Sequence, residues 1–491
     1  MTIMVLLVSS LVGGGLAEIS MRVFGGKWFR GQLRQLRTFL PAFRAAIGDD
    51  ERQEMLLRSG SMTLKFSLTV LALLVVLAAI AVLGPWIFEW SESDRTIYIV
   101  STSVVAAVWC ILKRPGHRNA GLSQSSRSGG YAYGVLERWL HWLALEPAAV
   151  RHLAFDLERQ FALPAPLASS TSKVINPSDG AVYICGLARS GTTTLLHIID
   201  EIDDFRSLTY RTMPFALAPN LWKQITQYLP RPSVPKERAH GDGIHVDFDS
   251  PEGFEEVFWR TFSPRTAQSC CFSGNEPSRE VLAAFSDYRA IVANPRTEAV
   301  SANDKLRRYL SKNNNNLLRL RSLASDPAAT VLLVYRNPIA TARSLHRQHQ
   351  YFCVAQTGDR FTRSYMGWLA HHEFGLDHLP FCFAKSGMDA SRTPEDLNYW
   401  LDYWNAVYCY VLAQDDLRFY LVNHDALCAE PSGTLKAILA VLGVEADALA
   451  LSQRIVAPKI ESGEGFCPEL LQRAETTHRA LLDSPKNIRR A

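Results

Sequence analysis

The chain has 491 residues, 47% of them hydrophobic and 20% charged. That composition excludes a disordered, collagenous or disulfide-scaffold protein, and the length leaves room for about two to four domains. Lys and Arg number 52 against 48 Asp and Glu, and the net +4 is too small an excess to point to nucleic acid. Nearly all the long uncharged stretches precede residue 113.

The first 17 residues carry no charge and lack the basic leader of a secretory signal. Phe66 to Phe88 is a 23-residue uncharged run between Lys65 and Glu89. As a helix it is long enough to cross a hydrocarbon core about 30 Å thick. Thr96 to Leu112 adds 17 more uncharged residues before Lys113-Arg114. Spans are therefore expected at about 2–17, 66–88 and 96–112, an α-helical transmembrane anchor over 1–113. Met21 to Gly60 holds eight bases and four acids, whereas the turn from Glu89 to Arg95 holds three acids and one base. Basic loops stay cytosolic. The pattern predicts a multi-pass protein of the cell inner (plasma) membrane, with everything after Lys113 in the cytoplasm. If the first segment does not cross, the large domain still lies inside.

The nine cysteines are odd in number and irregular in spacing. Reduced core thiols are the expectation, with Cys270-Cys271 a buried pair in a strand.

Residues 114–178 read as a linker with amphipathic helices. Arg114 to Gly130 is rich in Gly, Ser and Arg. Leu136, Trp139, Leu140, Trp142, Leu143, Leu153 and Leu157 then recur near helical spacing, for packing on the following domain or for the membrane interface. From Ala181 onward strand-like and helix-like segments alternate, as in an α/β domain with a parallel sheet, placed at 179–491. The best strands are Ala181 to Cys185, Thr330 to Tyr335 and Phe419 to Asn423.

The most informative stretch is AVYICGLARSGTTTLLHII. A strand runs into Gly186 through Thr194, and an apolar helix follows. Such a turn aims successive backbone N–H groups and a helix N-terminus at one point, which suits a phosphate-like anion. A Walker loop needs Lys directly after its second Gly. Here Thr192 stands there, and the cation is Arg189, two residues before Gly191.

The GLxRSGTT segment resembles the 5′-phosphosulfate loop of P-loop sulfotransferases. VLLVYRNPIATARSLHRQ resembles that family's 3′-phosphate motif, with Arg336 after a strand and Ser344 eight residues later. A guanidinium makes forked, charge-assisted bonds to phosphate. RRYLSKNNNNLLRLRSLASDPAATVLLVYRNP resembles the preceding stretch in tyrosylprotein-type and bacterial members, where a Lys follows a short strand. YLVNHDALCAEPSGTLKAILAVLGV resembles the late strand and closing helix. The resemblance spans about residues 180 to 446 and implies a three-layer P-loop domain with a central parallel sheet. The co-substrate it implies is 3′-phosphoadenosine 5′-phosphosulfate, with no metal required. Ser190, Gly191, Thr192, Thr193 and Thr194 would hold the 5′-phosphate, Arg336 and Ser344 the 3′-phosphate, and Arg189 and Lys312 would act on the sulfuryl group.

Tyrosylprotein-type members carry a Glu soon after the loop helix. The corresponding stretch here, DDFRSLTYRTMPF, offers Thr209 and Tyr210, so that role does not transfer. His245, then His240, are the candidate bases, close to several carboxylates that could orient an imidazole. Glu252, Glu255 and Glu256 read as acids in the first turn of a capped helix. His371-His372-Glu373 and His378 lack a zinc spacing and suit an acceptor pocket or packing. Tyr399, Trp400, Tyr403, Trp404 and Tyr408 fall at helical spacing and read as core. The leading expectation is a membrane-anchored sulfotransferase acting on a hydroxyl acceptor, such as a glycolipid, saccharide or other lipid. A P-loop nucleotide kinase and a non-catalytic nucleotide-binding membrane scaffold are the alternatives.

Overall fold

The computed structural model describes residues 133–164, 180–226, 236–237, 245–263, 267–268, 270–274, 276–297, 306–385, 387–455 and 461–489. The expected spans at 2–17, 66–88 and 96–112 lie outside these residues, as does His240. Among the described residues no helix is long and apolar enough to cross a membrane.

In chain order the elements begin with helices α1 (Val135–Leu145) and α2 (Ala148–Ala162). Strand β1 (Val182–Gly186), helix α3 (Thr192–Asp200), strand β2 (Phe205–Arg206) and helix α4 (Pro219–Thr226) follow. Next come α5 (Glu256–Phe262), α6 (Arg279–Ala293), β3 (Arg308–Lys312), α7 (Leu320–Ala324) and β4 (Thr330–Tyr335). Helices α8 (Pro338–Gly358), α9 (Arg360–Trp368), α10 (Cys382–Lys385) and α11 (Leu397–Leu412) lead to β5 (Tyr420–Asn423). Four helices close the chain: α12 (His424–Ala429), α13 (Pro431–Leu442), α14 (Ala448–Ser452) and α15 (Pro468–Asp483).

The five strands form one parallel sheet in the order β2-β3-β1-β4-β5. Its strands are apolar on both sides, and alternation splits them between two cores. Tyr183, Cys185, Tyr309, Leu333 and Tyr335 pack with Phe258, Trp259, Trp400 and Trp404 on one face. Val182, Ile184, Leu310, Leu332 and Val334 pack with Leu195, Ile199, Leu435 and Ile438 on the other. The result is a three-layer α/β domain. The aromatic run of α11 is buried in the first of these cores.

The two leading helices pack on this domain. Phe155 meets the rings of Phe258, Phe262 and Tyr288. The buried Glu158 carboxylate accepts from the Asn220 and Leu221 amides at the start of α4, where the helix dipole favours an anion.

Two expectations are corrected. Cys271 and Cys382 form a disulfide, so the described thiols are not all reduced. Their separation of 111 residues leaves no spacing signal in the sequence. Cys271 is buried in a short strand, but its neighbour Cys270 is exposed. Cysteine usage therefore gives no support to a reducing compartment, and the loop charges carry that argument alone. The second correction concerns the acids of α5: Glu256 stands in the first turn as expected, but Glu255 is the N-cap, Glu252 precedes the helix, and both Glu255 and Glu256 are buried. Glu255 accepts from Trp259 Nε1, Tyr309 OH and Asn316 Nδ2. Glu256 pairs with Arg319 at 2.6 Å and accepts from Asn313 Nδ2 at 2.7 Å. Their side chains point into the core because α5 lies under the sheet, and tertiary packing overrides the capping pattern.

Glu256→Ala strands the Arg319 guanidinium without its partner and is expected to cost about 3–5 kcal/mol. The measurement is thermal unfolding of the full chain. A loss under about 1 kcal/mol, the scale of a surface pair, would contradict the buried pairing.

Candidate active site

In a parallel sheet, binding groups gather beyond the carboxyl ends of the strands, where the strand order reverses. Here the reversal falls at β1, between β3 and β4. Four strand ends deliver side chains to that edge: β1 the loop with Arg189, β3 Lys312, β4 Arg336 and β5 His424.

The loop after β1 turns sharply enough that Arg189 takes a left-handed φ of 69° and Gly191 one of 97°. Gly191 serves a second need besides that turn. A Cβ there would stand 1.9 Å from His424 Cδ2, so the imidazole packs directly on the loop. Ser190 and Thr192 are buried, and the first turn of α3 begins at Thr192.

Arg189 Nε donates to Ser344 Oγ at 3.0 Å. Two motifs whose residues lie 155 positions apart thus meet in one place. Ser344 sits on α8, whose N-cap Asn337 accepts from the Ala340 amide. The Asn337 amide in turn donates to Asp425 Oδ2, tying α8 to the end of β5. Arg336 Nε is buried without a hydrogen-bond partner among the described residues. A buried guanidinium N–H left unpaired is costly, and an anion would satisfy it.

Lys312 ends β3 beside Ile184 of β1. Its Nζ lies 3.9 Å from Glu252 Oε1, with both side chains largely out of solvent. Glu252 Oε2 accepts from Tyr210 OH at 3.0 Å and Oε1 from the Gly253 amide at 2.9 Å. A Cβ at Gly253 would stand 2.5 Å from the Lys312 carbonyl oxygen, so glycine is needed for this approach. Tyr210, on the stretch after α3, is joined to a carboxylate arriving 42 residues later.

Beyond Lys312, the Asn313–Asn316 run is buried. Thr192 Oγ1 donates to Asn314 Oδ1 at 3.3 Å, and Asn314 Nδ2 donates to Glu373 Oε1 at 3.2 Å. Asn315 Nδ2 donates to the Ala370 carbonyl at 3.1 Å. Glu373 also lies 3.3 Å from His371 Nδ1. Burial pulls the Glu373 carboxyl upward, but His371 and, further down, Lys312 outweigh it and hold it at about 2.

Of the residues expected from the sequence to form the site, Arg189, Ser190, Gly191, Thr192, Thr193, Thr194, Lys312, Arg336 and Ser344 all lie at this one edge. His245 belongs to a two-residue strand paired with Lys236–Glu237, away from the sheet, and its side chain is outside the described residues. Sequence reasoning did not single out His424 or assign Asn314 a place at the site. Each follows a strand end by one or two residues, which was the available signal. Among the described residues no group of His, Cys, Asp and Glu is arranged to hold a metal ion.

No family model matches the chain, and no curated protein matches it. Among solved structures it is similar to the sulfotransferase STF9 from Mycobacterium avium, at 12% identity and a TM-score of 0.38, over 78% of this chain and 91% of that one. It is also similar to the sulfotransferase STF1 from Mycobacterium tuberculosis H37Rv, at 15% identity and a TM-score of 0.34, over 68% and 82%. Likeness at this level carries no weight for function.

Burial, and then the positive charge of Arg336, lower the His424 imidazole to about 4. The unfolded chain protonates this group near about 6.5, so between the two values the unfolded state binds the extra proton. Stability is therefore lost as pH falls through that interval, by about 2–3 kcal/mol from this residue, and is unaffected above it. Thermal unfolding at pH 7 and pH 5 should show a smaller acid loss in His424→Gln than in the unmodified chain. Equal losses would remove His424 from the account.

Proposed function

We propose that the chain is a sulfotransferase, moving a sulfuryl group from 3′-phosphoadenosine 5′-phosphosulfate to a hydroxyl acceptor. The observation that carries this reading is the Arg189–Ser344 hydrogen bond. It joins a loop suited to one phosphate to a helix start suited to another, with the unpartnered Arg336 Nε alongside. A donor with anions at both ends of a nucleoside fits that pair.

Sulfuryl transfer has requirements like those of phosphoryl transfer: in-line positioning and cations on the developing charge. The backbone amides of Ser190 to Thr194 would hold the 5′-phosphate at the start of α3. Arg189 and Lys312 stand at adjoining strand ends, suited to the bridging and sulfuryl oxygens. Arg336 and Ser344 would take the 3′-phosphate, and Glu252, 3.9 Å from the Lys312 ammonium, would orient it. A P-loop kinase would need a lysine at Thr192, whose hydroxyl instead donates to Asn314.

The acceptor side of the proposal rests on the uncharged segments before residue 113. Together with their flanking charges they support a protein of the inner membrane with this domain in the cytoplasm. The acceptor would then be a hydroxyl in or near the bilayer, a glycolipid or lipid-linked saccharide. Nucleic acid has no place in this reading.

Arg336→Ala should weaken binding of adenosine 3′,5′-bisphosphate by about 1.5–3 kcal/mol, the value of a bond to a charged group. Titration calorimetry reads this directly, and unchanged affinity would sink the 3′-phosphate assignment. Lys312→Ala should keep most of that affinity while labelled-sulfate transfer to membrane lipid extracts falls at least about a hundredfold. For the membrane part, single cysteines placed between Glu89 and Arg95 should react with an impermeant reagent from outside whole cells. Labelling confined to inverted vesicles would reverse the topology.

A further inference from the structure

Glu252 is poorly suited to take a proton from the acceptor. It is paired with Lys312 and already accepts from Tyr210 and the Gly253 amide, which lowers its readiness to take a proton. A better-built group adjoins Glu373, a carboxylate that feels the charge of Lys312. His371 is half-buried, its Nδ1 lies 3.3 Å from the Glu373 carboxylate, and its Nε2 has no hydrogen-bond partner among the described residues. A buried carboxylate on one ring nitrogen fixes the tautomer, leaving the other nitrogen as acceptor, which is the logic of a carboxylate–imidazole base.

The segment carrying this pair is held to the donor loop. Ala370 takes a left-handed φ of 51° immediately before His371. That conformation is costly for a residue with a Cβ, and the Asn315 amide bonds the Ala370 carbonyl and holds it there. Asn314 bridges Thr192 of the loop to Glu373, so three successive contacts lead from the start of α3 to the imidazole. On its far side the same segment is anchored by the Phe272 amide, which donates to the Pro380 carbonyl, and by the Cys271–Cys382 disulfide. A strained residue, two asparagines and a cross-link are more than a surface loop requires.

We infer that His371 is the base that accepts the acceptor's hydroxyl proton, with Glu373 as its positioning residue and Asn314 coupling the pair to the donor loop. This rests on the sulfotransferase reading above. The acceptor oxygen attacks sulfur, and the bond from sulfur to the bridging oxygen of the 5′-phosphate breaks. Its electron pair leaves with adenosine 3′,5′-bisphosphate, and the hydroxyl proton passes to His371 Nε2 and then to water.

The test uses the full chain in detergent, the donor labelled with radioactive sulfur, and octyl glucoside and water as acceptors. Adenosine 3′,5′-bisphosphate binding is measured in parallel. In His371→Ala, bisphosphate affinity should stay within about twofold, while label transfer falls at least about a hundredfold and is partly restored by added imidazole. Glu373→Gln should lower transfer by itself and add little further loss in the His371→Ala background, as expected of groups acting as a unit. Transfer within about threefold of the unmodified chain in His371→Ala would overturn the assignment and leave the sulfotransferase reading intact. If the unmodified chain binds bisphosphate but moves no label to either acceptor, the enzyme reading falls, and this one with it.

Discussion

Two adjacent carboxylates buried beneath a sheet impose the condition on which the site depends. Each would cost several kcal/mol to take out of water unpaired, so Glu255 and Glu256 dictate where their donors must be. Their partners are Trp259, Tyr309 and Asn316 for one, Arg319 and Asn313 for the other. Arg319 also lies over the Trp259 ring at 4.6 Å, closing the network on itself. Satisfying these charges fixes the end of β3, and with it the backbone that bears Lys312. The remaining asparagines of the run then project from a rigid base toward the loop and toward Glu373. Core electrostatics and site geometry are in this sense one problem.

The parallel sheet does the rest. Because β1 lies between β3 and β4, its loop has a cation-bearing strand end on either side. His424, at the end of β5, presses on Gly191 and leaves the loop little room to relax. A cup held this firmly loses little conformational freedom when an anion enters, so more of the contact energy is available for binding.

Much of this was legible in the sequence. TVLLVY occupies the strand expected of it, AVYIC is shifted by one residue to Val182–Gly186 and FYLVN begins one residue later at Tyr420, since apolar β-branched runs bounded by turn residues have few other uses. Arg189 and Ser344 could be picked out because each sits at a fixed offset from such a strand. The buried acids could not. Carboxylates at 252, 255 and 256 read as the acids of a capped helix start, and only the sheet above α5 makes Glu255 and Glu256 interior. The asparagine run reads as a polar loop for the same reason: its partners lie about sixty residues away in either direction. Cys271 and Cys382 likewise carry no local sign of each other. A base was sought near residue 245 because histidines and acids cluster there in sequence, whereas the imidazole that has a buried carboxylate behind it lies at 371.

The Arg189–Ser344 bond has a consequence for discrimination. It welds two anion sites into a single unit of fixed span, so occupancy of one half is felt at the other through a shared side chain. A ligand with one anionic end would satisfy half of the unit and leave the buried Arg336 Nε without a partner. A ligand with two anions at the matching separation satisfies both. If the site takes the proposed donor, the cleft would work as a coincidence detector, selecting a ligand by the separation of its anions and not by charge alone.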